Sequence, residues 1–108
     1  RWVPPLARGE ALACFGLTEA EAGSDAAGTR TTAHLEDGQW VINGTKQFIT
    51  NSGSKITSLV TVTAVTGEST LVDGSVKKEL TAIIVPAGTP GLTVHPAYDQ
   101  VGWHTSDT

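Results

Sequence analysis

The stretch WVINGTKQFIT, residues 40–50, decides the predicted fold. Apolar and polar side chains alternate on both sides of Asn43-Gly44, and alternation with a period of two is typical of a half-buried strand. An Asn-Gly dipeptide between two such runs favours a two-residue type I′ turn. We therefore expect a β-hairpin with its tip at Asn43-Gly44 and with residues 45–50 as the returning strand.

The same kind of pattern predicts further strands along the chain. Short β-prone runs lie at residues 11–17, 31–35, 57–65, 80–85 and 92–98, and Pro96 would keep the last one at a sheet edge. Residues 18–28 are expected as a loop or a short helical turn, residues 66–78 as an exposed loop, and residues 36–38 and 86–91 as turns. Six or seven short strands at close spacing predict an all-β fold, an antiparallel β-barrel or a pair of packed sheets.

Length and composition exclude several classes of protein. The chain has 108 residues, the size of one domain, and a formal net charge of −4 from 7 basic and 11 acidic residues. This balance disfavours nucleic-acid binding, which needs clustered Lys and Arg. No apolar run approaches the ~18 residues that a membrane helix needs. Cys14 is the one cysteine, so no internal disulfide can form, and His34, His95 and His104 lack the spacing of metal ligands.

Residues 18–25, TEAEAGSD, form a small-residue loop after the first predicted strand. Gly23 would let a ligand approach the backbone closely, and the Ser24 hydroxyl with the loop amides can bind an anion. The same residues also fit an ordinary turn that caps a helix through Ser24 or Asp25. Local chemistry alone favours this second interpretation, because such loops are common.

Phe48 and Thr50 would share one face of the predicted returning strand. An aromatic ring and a hydroxyl on one face can cover a planar ring and hydrogen-bond its edge. An ordinary cross-strand pair of an aromatic residue and a threonine shows the same pattern. Taken alone, this segment therefore favours plain sheet packing.

The two segments together resemble the middle domain of acyl-CoA dehydrogenases. That family carries Thr-Glu-x-x-Ala-Gly-Ser-Asp, here residues 18–25, followed by Asn-Gly-x-Lys-x-aromatic-Ile-Thr-Asn, here residues 43–51. A third trace is Gly-x-x-x-Ser-Asp-Thr at residues 102–108. The resemblance covers nearly the whole chain, and the three motifs occur in the family's order.

The resemblance implies FAD as cofactor and an acyl-CoA as substrate. Thr18 would hydrogen-bond the pyrimidine end of the flavin ring, and the Thr50 hydroxyl would lie near the ring nitrogen that accepts hydride. Ser24 would contact the FAD pyrophosphate and lie near the acyl-CoA. The full set of residues expected to contact the cofactor is Phe15, Leu17, Thr18, Gly23, Ser24, Phe48, Ile49 and Thr50, with Phe15 and Leu17 acting through backbone groups.

The resemblance also implies what the chain lacks. In the family the catalytic base is a carboxylate of a helical domain that follows, so no residue here is expected as catalytic, and the fragment alone is predicted inactive. Glu19 and Asp25 are interpreted as loop-structuring groups. Because the chain begins at Arg1 rather than Met, we expect residues 1–10 to connect from an absent helical domain and residues 11–108 to be the middle domain.

The intact protein is expected to be a homo-oligomer that passes electrons to a separate acceptor, in the cytoplasm or in a mitochondrial matrix. An acyl-CoA oxidase or a flavin monooxygenase of the same fold is the alternative within enzymes, and a non-catalytic β-barrel binding module is the alternative outside them. Oxidase relatives usually carry Gly-His-Gly-Ser at residues 21–24, which are EAGS here. Two other departures are Ala20, where Pro is frequent, and Phe48, where Trp is common.

Overall fold

A computed structural model describes residues 1–103 and 105–108. The elements are a short helix α1 (Val3–Ala7), strand β1 (Leu12–Gly16), a 3-10 turn (Ala26–Gly28), and strands β2 (Thr32–Glu36), β3 (Gln39–Asn43), β4 (Thr57–Thr70) and β5 (Val76–Pro86). Strands therefore dominate, as the sequence predicted. His104, one of the three histidines without metal-ligand spacing, lies outside the described residues.

The five strands form one sheet around β4. Strand β5 pairs antiparallel with β4, whereas β1 pairs parallel with β4 from Leu12 to Gly16. Strand β2 joins β4 through one parallel pair, Thr32 with Val65, and β3 pairs antiparallel with β2. The prediction of a wholly antiparallel fold is therefore wrong, because the long connection between β1 and β4 lets these strands run the same way.

The sheet is open rather than closed into a barrel. Within residues 1–103 and 105–108, no strand pairing joins β1 or β3 to β5. Strand β4 is the central strand because its β-branched residues bury on both faces, and Val62, Thr63 and Ala64 are all buried. The predicted strands 57–65 and 80–85 are confirmed within β4 and β5.

The predicted loop at residues 66–78 is wrong over most of its length. Strand β4 continues to Thr70 through a register shift between Val65 and Gly67, and β5 begins at Val76. Asp73 closes the turn between them, since its carboxylate accepts hydrogen bonds from the Ser75 N–H at 2.9 Å and hydroxyl at 2.6 Å. The polar residues that indicated a loop form an exposed two-stranded arm instead.

The predicted hairpin tip at Asn43-Gly44 is also wrong. The hairpin between β2 and β3 turns at Asp37-Gly38, both at positive φ (50° and 77°), as a type I′ turn requires. Gly44 does not adopt a positive φ and lies instead against Thr31. A Cβ on Gly44 would fall 2.6 Å from Thr31 Cβ and closer still to its hydroxyl. Glycine stands at residue 44 because the backbones approach closely there.

Residues 45–50 and 92–98 are not strands in the structure. Phe48 and Asn51 adopt positive φ (58° and 64°), and a left-handed residue cannot continue a ladder. In the later segment Pro96 has no N–H to donate, and the Tyr98 N–H bonds to the Thr108 carbonyl at 2.8 Å. Both segments are therefore irregular chain.

The hydrophobic core is small and built from small side chains. Ala33, Ala64 and Ile83 form its centre, with Ile42 packed against them. Cys14 is also buried, and burial, with the nearby charge of Asp107, raises the pKa of its thiol. No helix in the described part of the chain is long and apolar enough to cross a membrane.

Replacing Gly44 with alanine tests the close approach to Thr31. We expect Gly44→Ala to lower the free energy of unfolding by about 1–3 kcal/mol, because the added methyl group overlaps a neighbour that cannot yield. Thr31 is fixed by hydrogen bonds from its N–H and its hydroxyl to Glu19. Denaturant unfolding measures the change. Gly102→Ala is the control, since no atom of the described residues lies within 4 Å of a Cβ built on Gly102, and equal losses in both variants would contradict the prediction.

Candidate functional site

The two signature segments meet directly after β1. The Gln47 N–H donates to the Thr18 carbonyl at 2.9 Å, and the Lys46 ammonium donates to the Leu17 carbonyl at 3.1 Å. The chain that leaves β3 therefore runs beside the chain that leaves β1. This contact places residues 48–50 in the chain directly after the point that touches Thr18.

A buried ion pair stabilises this junction. Lys46 Nζ lies 2.7 Å from Glu19 Oε1, and the two side chains are only 9% and 8% exposed. The same ammonium donates to the Thr63 hydroxyl of β4 at 3.0 Å, which in turn donates to the Gly16 carbonyl at 3.3 Å. A buried charge is tolerated when it is paired and hydrogen-bonded, as Lys46 is here.

The Glu19 carboxylate holds the loop in place and is poorly suited to act as a base. Besides Lys46, it accepts hydrogen bonds from the Arg30 N–H at 2.7 Å, the Thr31 N–H at 3.0 Å and the Thr31 hydroxyl at 2.6 Å. Burial acts to raise its pKa, but the bonds from Lys46, Thr31 and Arg30 outweigh it and lower the pKa to about 2. A carboxylate held ionised in this way is a poor base near neutral pH.

Asp25 has a comparable structural role. Its carboxylate accepts a hydrogen bond from the Ala27 N–H at 3.2 Å and caps the 3-10 turn at Ala26–Gly28. The prediction that Glu19 and Asp25 structure the loop is therefore confirmed by their contacts.

Gly23 and Ser24 lie on the exposed outer part of this loop. Glu19 and Ala22 pair through two backbone hydrogen bonds of 3.0 and 3.2 Å, and this tight turn carries the chain into Gly23. Among the residues that the structure describes, no atom lies within 4 Å of a Cβ built on Gly23. Within the described chain, no hydrogen bond joins Ser24 to Thr18 or Thr50. The structure thus connects Ser24 to the junction only through the loop itself.

Phe48 is the irregular residue of the second segment. A bulky residue at φ 58° is a backbone outlier, and such strain persists only where the surroundings fix it. Its ring is 57% exposed and lies 5.3 Å from the ring of Tyr98, tilted by 45°. The Thr50 hydroxyl accepts a long hydrogen bond of 3.4 Å from Thr108. Because the segment is not a strand, the expected shared face of Phe48 and Thr50 does not follow from a period of two.

The junction leaves a group of backbone donors without acceptors. The N–H groups of Thr18, Phe48, Ile49 and Thr50 have no hydrogen-bond partner among residues 1–103 and 105–108. The Thr18 hydroxyl is likewise unpaired within that part of the chain. Phe15 lies on the sheet face shared with Thr61 and Ile84, and its side chain is 55% exposed. These groups can bind a planar ligand with hydrogen-bond acceptors along its edge.

Sequence reasoning missed two residues of this site. Lys46 was part of a motif with no role assigned, although an acid in one signature and a lysine in the other is a signal for an ion pair. Tyr98, the partner of the Phe48 ring, lies in a segment that was expected to be an edge strand. No sequence signal near residue 98 indicates that contact.

The described residues hold no group of three or more potential metal ligands. His34 faces Glu36 on the exposed surface of β2, with 3.4 Å between Nε2 and Oε2. His95 lies in irregular exposed chain.

Replacing Glu19 tests the ion pair and its pH dependence. We expect Glu19→Gln to lower the free energy of unfolding by roughly 3 kcal/mol at pH 7, because it leaves the Lys46 charge buried and unpaired. The folded pKa lies below the ordinary value of 4.5, so this stabilisation is present above pH 4.5 and is lost as the pH falls towards 2. Denaturant unfolding of both proteins from pH 7 to pH 2 measures the difference, which should shrink below pH 4.5.

The exposed pair of Arg8 and Glu10 supplies the control for this titration. Their side chains are 59% and 55% exposed, and exposed pairs contribute little to stability. Glu10→Gln should leave the unfolding free energy nearly unchanged. A Glu19→Gln variant as stable as Glu10→Gln at pH 7 would contradict the structural role of the buried pair.

Replacing Phe48 tests the strained backbone. We expect Phe48→Gly to be more stable than Phe48→Ala by about 1 kcal/mol, because glycine relieves the left-handed strain that alanine retains. Thermal unfolding of the two variants gives the comparison. Phe15, in β1, is the matched control: there the alanine variant should be the more stable one. If the alanine variant is the more stable one at residue 48 as well as at residue 15, residue 48 carries no strain.

Comparison with known proteins gives this geometry a context. A family model described as the acyl-CoA dehydrogenase middle domain matches residues 14–108. A probable acyl-CoA dehydrogenase of Bacillus subtilis (strain 168) is 51% identical over 96% of the chain and 26% of its own length. The mitochondrial short-chain specific acyl-CoA dehydrogenase of Rattus norvegicus is 40% identical over 100% of the chain and 24% of its own.

The fold agrees with these matches. The crystal structure of a glutaryl-CoA dehydrogenase from Mycobacterium smegmatis in complex with FADH2 superposes with a TM-score of 0.80 and 36% identity. The match covers 97% of this chain and 24% of that one, so the chain spans about a quarter of the length of its relatives. The family model covers most of the chain, including the three motifs noted in the sequence. This chain belongs to the acyl-CoA dehydrogenase family, as its middle domain.

Proposed function

We infer that this domain holds FAD and an acyl-CoA in an enzyme that dehydrogenates acyl thioesters between their α and β carbons. The observation that carries the inference is the junction between Thr18 and Gln47. It joins the two segments that resemble the family's flavin-binding signatures, although Thr18 and Gln47 lie 29 positions apart along the chain. The cofactor named for the Mycobacterium smegmatis relative supports the choice of flavin.

The residues at the junction fit a flavin. An isoalloxazine ring needs hydrogen-bond donors along its pyrimidine edge and an apolar surface against its face. Thr18 offers an N–H and a hydroxyl with no partner in the described chain, and the N–H groups of residues 48–50 offer more donors. The half-exposed Phe48 ring, paired with Tyr98, offers apolar area. The donor set and the surface therefore match this ligand class.

FAD, when bound, supplies the acceptor for the hydride that leaves the substrate. In this proposal Phe15 and Leu17 contact it through backbone groups, while Thr18, Phe48, Ile49 and Thr50 orient the ring. Gly23 and Ser24 hold the pyrophosphate, with Ser24 also near the acyl-CoA. A hydrogen-bond donor at Thr50 would stabilise charge that develops on the ring during reduction. Glu19 is not proposed as the base, since it is held ionised with a pKa of about 2.

The base is therefore assigned to another domain of the intact protein. We propose that residues 11–108 are the middle domain, that residues 1–10 connect from a helical domain, and that a second helical domain follows. The relatives, about four times longer than this chain, support this arrangement. A homo-oligomer and a separate electron acceptor complete the proposal. Its location is the cytoplasm or, as for the rat relative, a mitochondrion.

Anaerobic addition of acyl-CoA to the intact, FAD-containing protein tests the activity. Bleaching of the flavin absorbance by a panel of acyl-CoAs is the expected result, and the panel also defines the acyl chain length. Rapid reoxidation by O₂ with turnover would instead identify the oxidase or monooxygenase alternative. A purified protein that neither contains nor binds FAD would identify a binding module without chemistry.

Replacing Ser24 tests the pyrophosphate contact in the same protein. We expect Ser24→Ala to weaken FAD or acyl-CoA binding by roughly 1.5–3 kcal/mol, the worth of a hydrogen bond to a charged group. Flavin content after gel filtration and the KM for acyl-CoA give the two readouts. Ser69→Ala, on the exposed arm of β4, is the control and should change neither. Unchanged values for Ser24→Ala would remove this residue from the site.

A further inference from the structure

We propose that Lys46 is the positioning residue of this site, and that it presents the Thr18 N–H to the flavin by holding the Leu17 carbonyl. The inference rests on the proposed function. It gives Lys46, so far only a structural residue, a role towards the ligand. It begins from one peptide unit, the bond between Leu17 and Thr18. The carbonyl of that unit accepts a hydrogen bond from Lys46 Nζ at 3.1 Å.

The geometry of a trans peptide sets the direction of the donor. The C=O and N–H of one unit point in opposite directions across a rigid plane. Because the Leu17 carbonyl points at Lys46, the Thr18 N–H points away from it. This N–H has no acceptor among the described residues. It is therefore a fixed backbone donor that faces away from the buried pair.

The other contacts of Lys46 fix the peptide plane in place. Nζ also bonds to Glu19 at 2.7 Å and to Thr63 of β4 at 3.0 Å, so the ammonium is held by the sheet and by the loop. The next carbonyl, that of Thr18, accepts from the Gln47 N–H at 2.9 Å. The Leu17 and Thr18 carbonyls are thus both hydrogen-bonded to residues 46 and 47. The peptide plane between Leu17 and Thr18 cannot rotate without breaking one of these hydrogen bonds.

The positive charge of Lys46 makes the Thr18 N–H a stronger donor. A cation on the carbonyl oxygen polarises the peptide unit and makes its N–H a stronger hydrogen-bond donor. Glu19 neutralises Lys46, so the pair adds no net charge beside the ligand. Removing either partner leaves one charge of known sign next to the ring, and nearby charge tunes the electronics of a bound cofactor. The two single replacements should therefore act on the flavin with opposite signs.

The reduction potential of bound FAD in the intact protein separates positioning from mere stabilisation. Glu19→Gln leaves a positive charge and should raise the potential, whereas Lys46→Met leaves a negative charge and should lower it. Both variants should lose stability, so a purely structural role predicts no opposite shifts. Lys46→Met should also weaken FAD binding by about tenfold, the effect of losing one good hydrogen bond.

A double variant keeps the test decisive if a single one does not fold. Glu19→Gln with Lys46→Met removes both charges and leaves the Leu17 carbonyl without its donor. Its potential should return towards that of the parent, while its FAD affinity should stay about tenfold lower. Lys78→Met is the control, because Lys78 also holds a backbone carbonyl, that of Thr29 at 3.0 Å, outside both signature segments. It should change neither value.

Two results would overturn the proposal. The first is a folded double variant that binds FAD as tightly as the parent. The second is a pair of folded single variants whose potentials shift in the same direction or not at all. A parent protein that binds no FAD would instead refute the proposed function, so the two failures are distinguishable.

Discussion

The buried ion pair of Lys46 and Glu19 is the constraint on which the arrangement of this domain depends. One ammonium group bonds to a carbonyl at the end of β1, to a carboxylate in the following loop and to a hydroxyl on β4. The loop cannot shift without leaving a charge or a carbonyl buried and unpaired, which costs several kcal/mol. A segment made of small and flexible residues therefore adopts one conformation.

Buried polar contacts fix much of this fold, a role that a large hydrophobic core has in other domains. The central apolar cluster is Ala33, Ala64 and Ile83, which offers little area to bury. Thr29 and Thr31 are almost wholly buried, and both hydroxyls find partners, at the Ala26 carbonyl and at Glu19. Satisfied polar groups of this kind specify geometry more than they add stability. Phe15 and Ile84 lie half-exposed on the opposite face of the sheet.

Local chemistry explains which parts of the fold could be predicted from the sequence. The strands within β4 and β5 follow from runs of β-branched residues, and the turn at Asp37-Gly38 follows from its residue types. The parallel pairing of β1 with β4 joins residues 45 or more positions apart, and no local pattern reports it. The turn predicted at Asn43-Gly44 was wrong because a glycine needed for a close approach looks, in sequence, like a glycine needed for a turn.

The candidate site lies where regular strand structure ends. This explains why its backbone donors are unpaired in the described chain and why its conformation could not be predicted from the sequence. A residue inside a strand ladder donates its N–H to a neighbouring strand, so it has no backbone donor left for a ligand. The ladder of β2 and β3 ends at Asn43, and in the irregular chain beyond it Phe48 adopts φ 58° and the N–H groups of residues 48–50 have no acceptors in the described chain. A period-two pattern therefore misjudged the segment: its side chains alternate like those of a strand, but its backbone is irregular. The contacts of Lys46 and Gln47 hold this irregular backbone against Leu17 and Thr18, so that the two segments lie side by side at one junction.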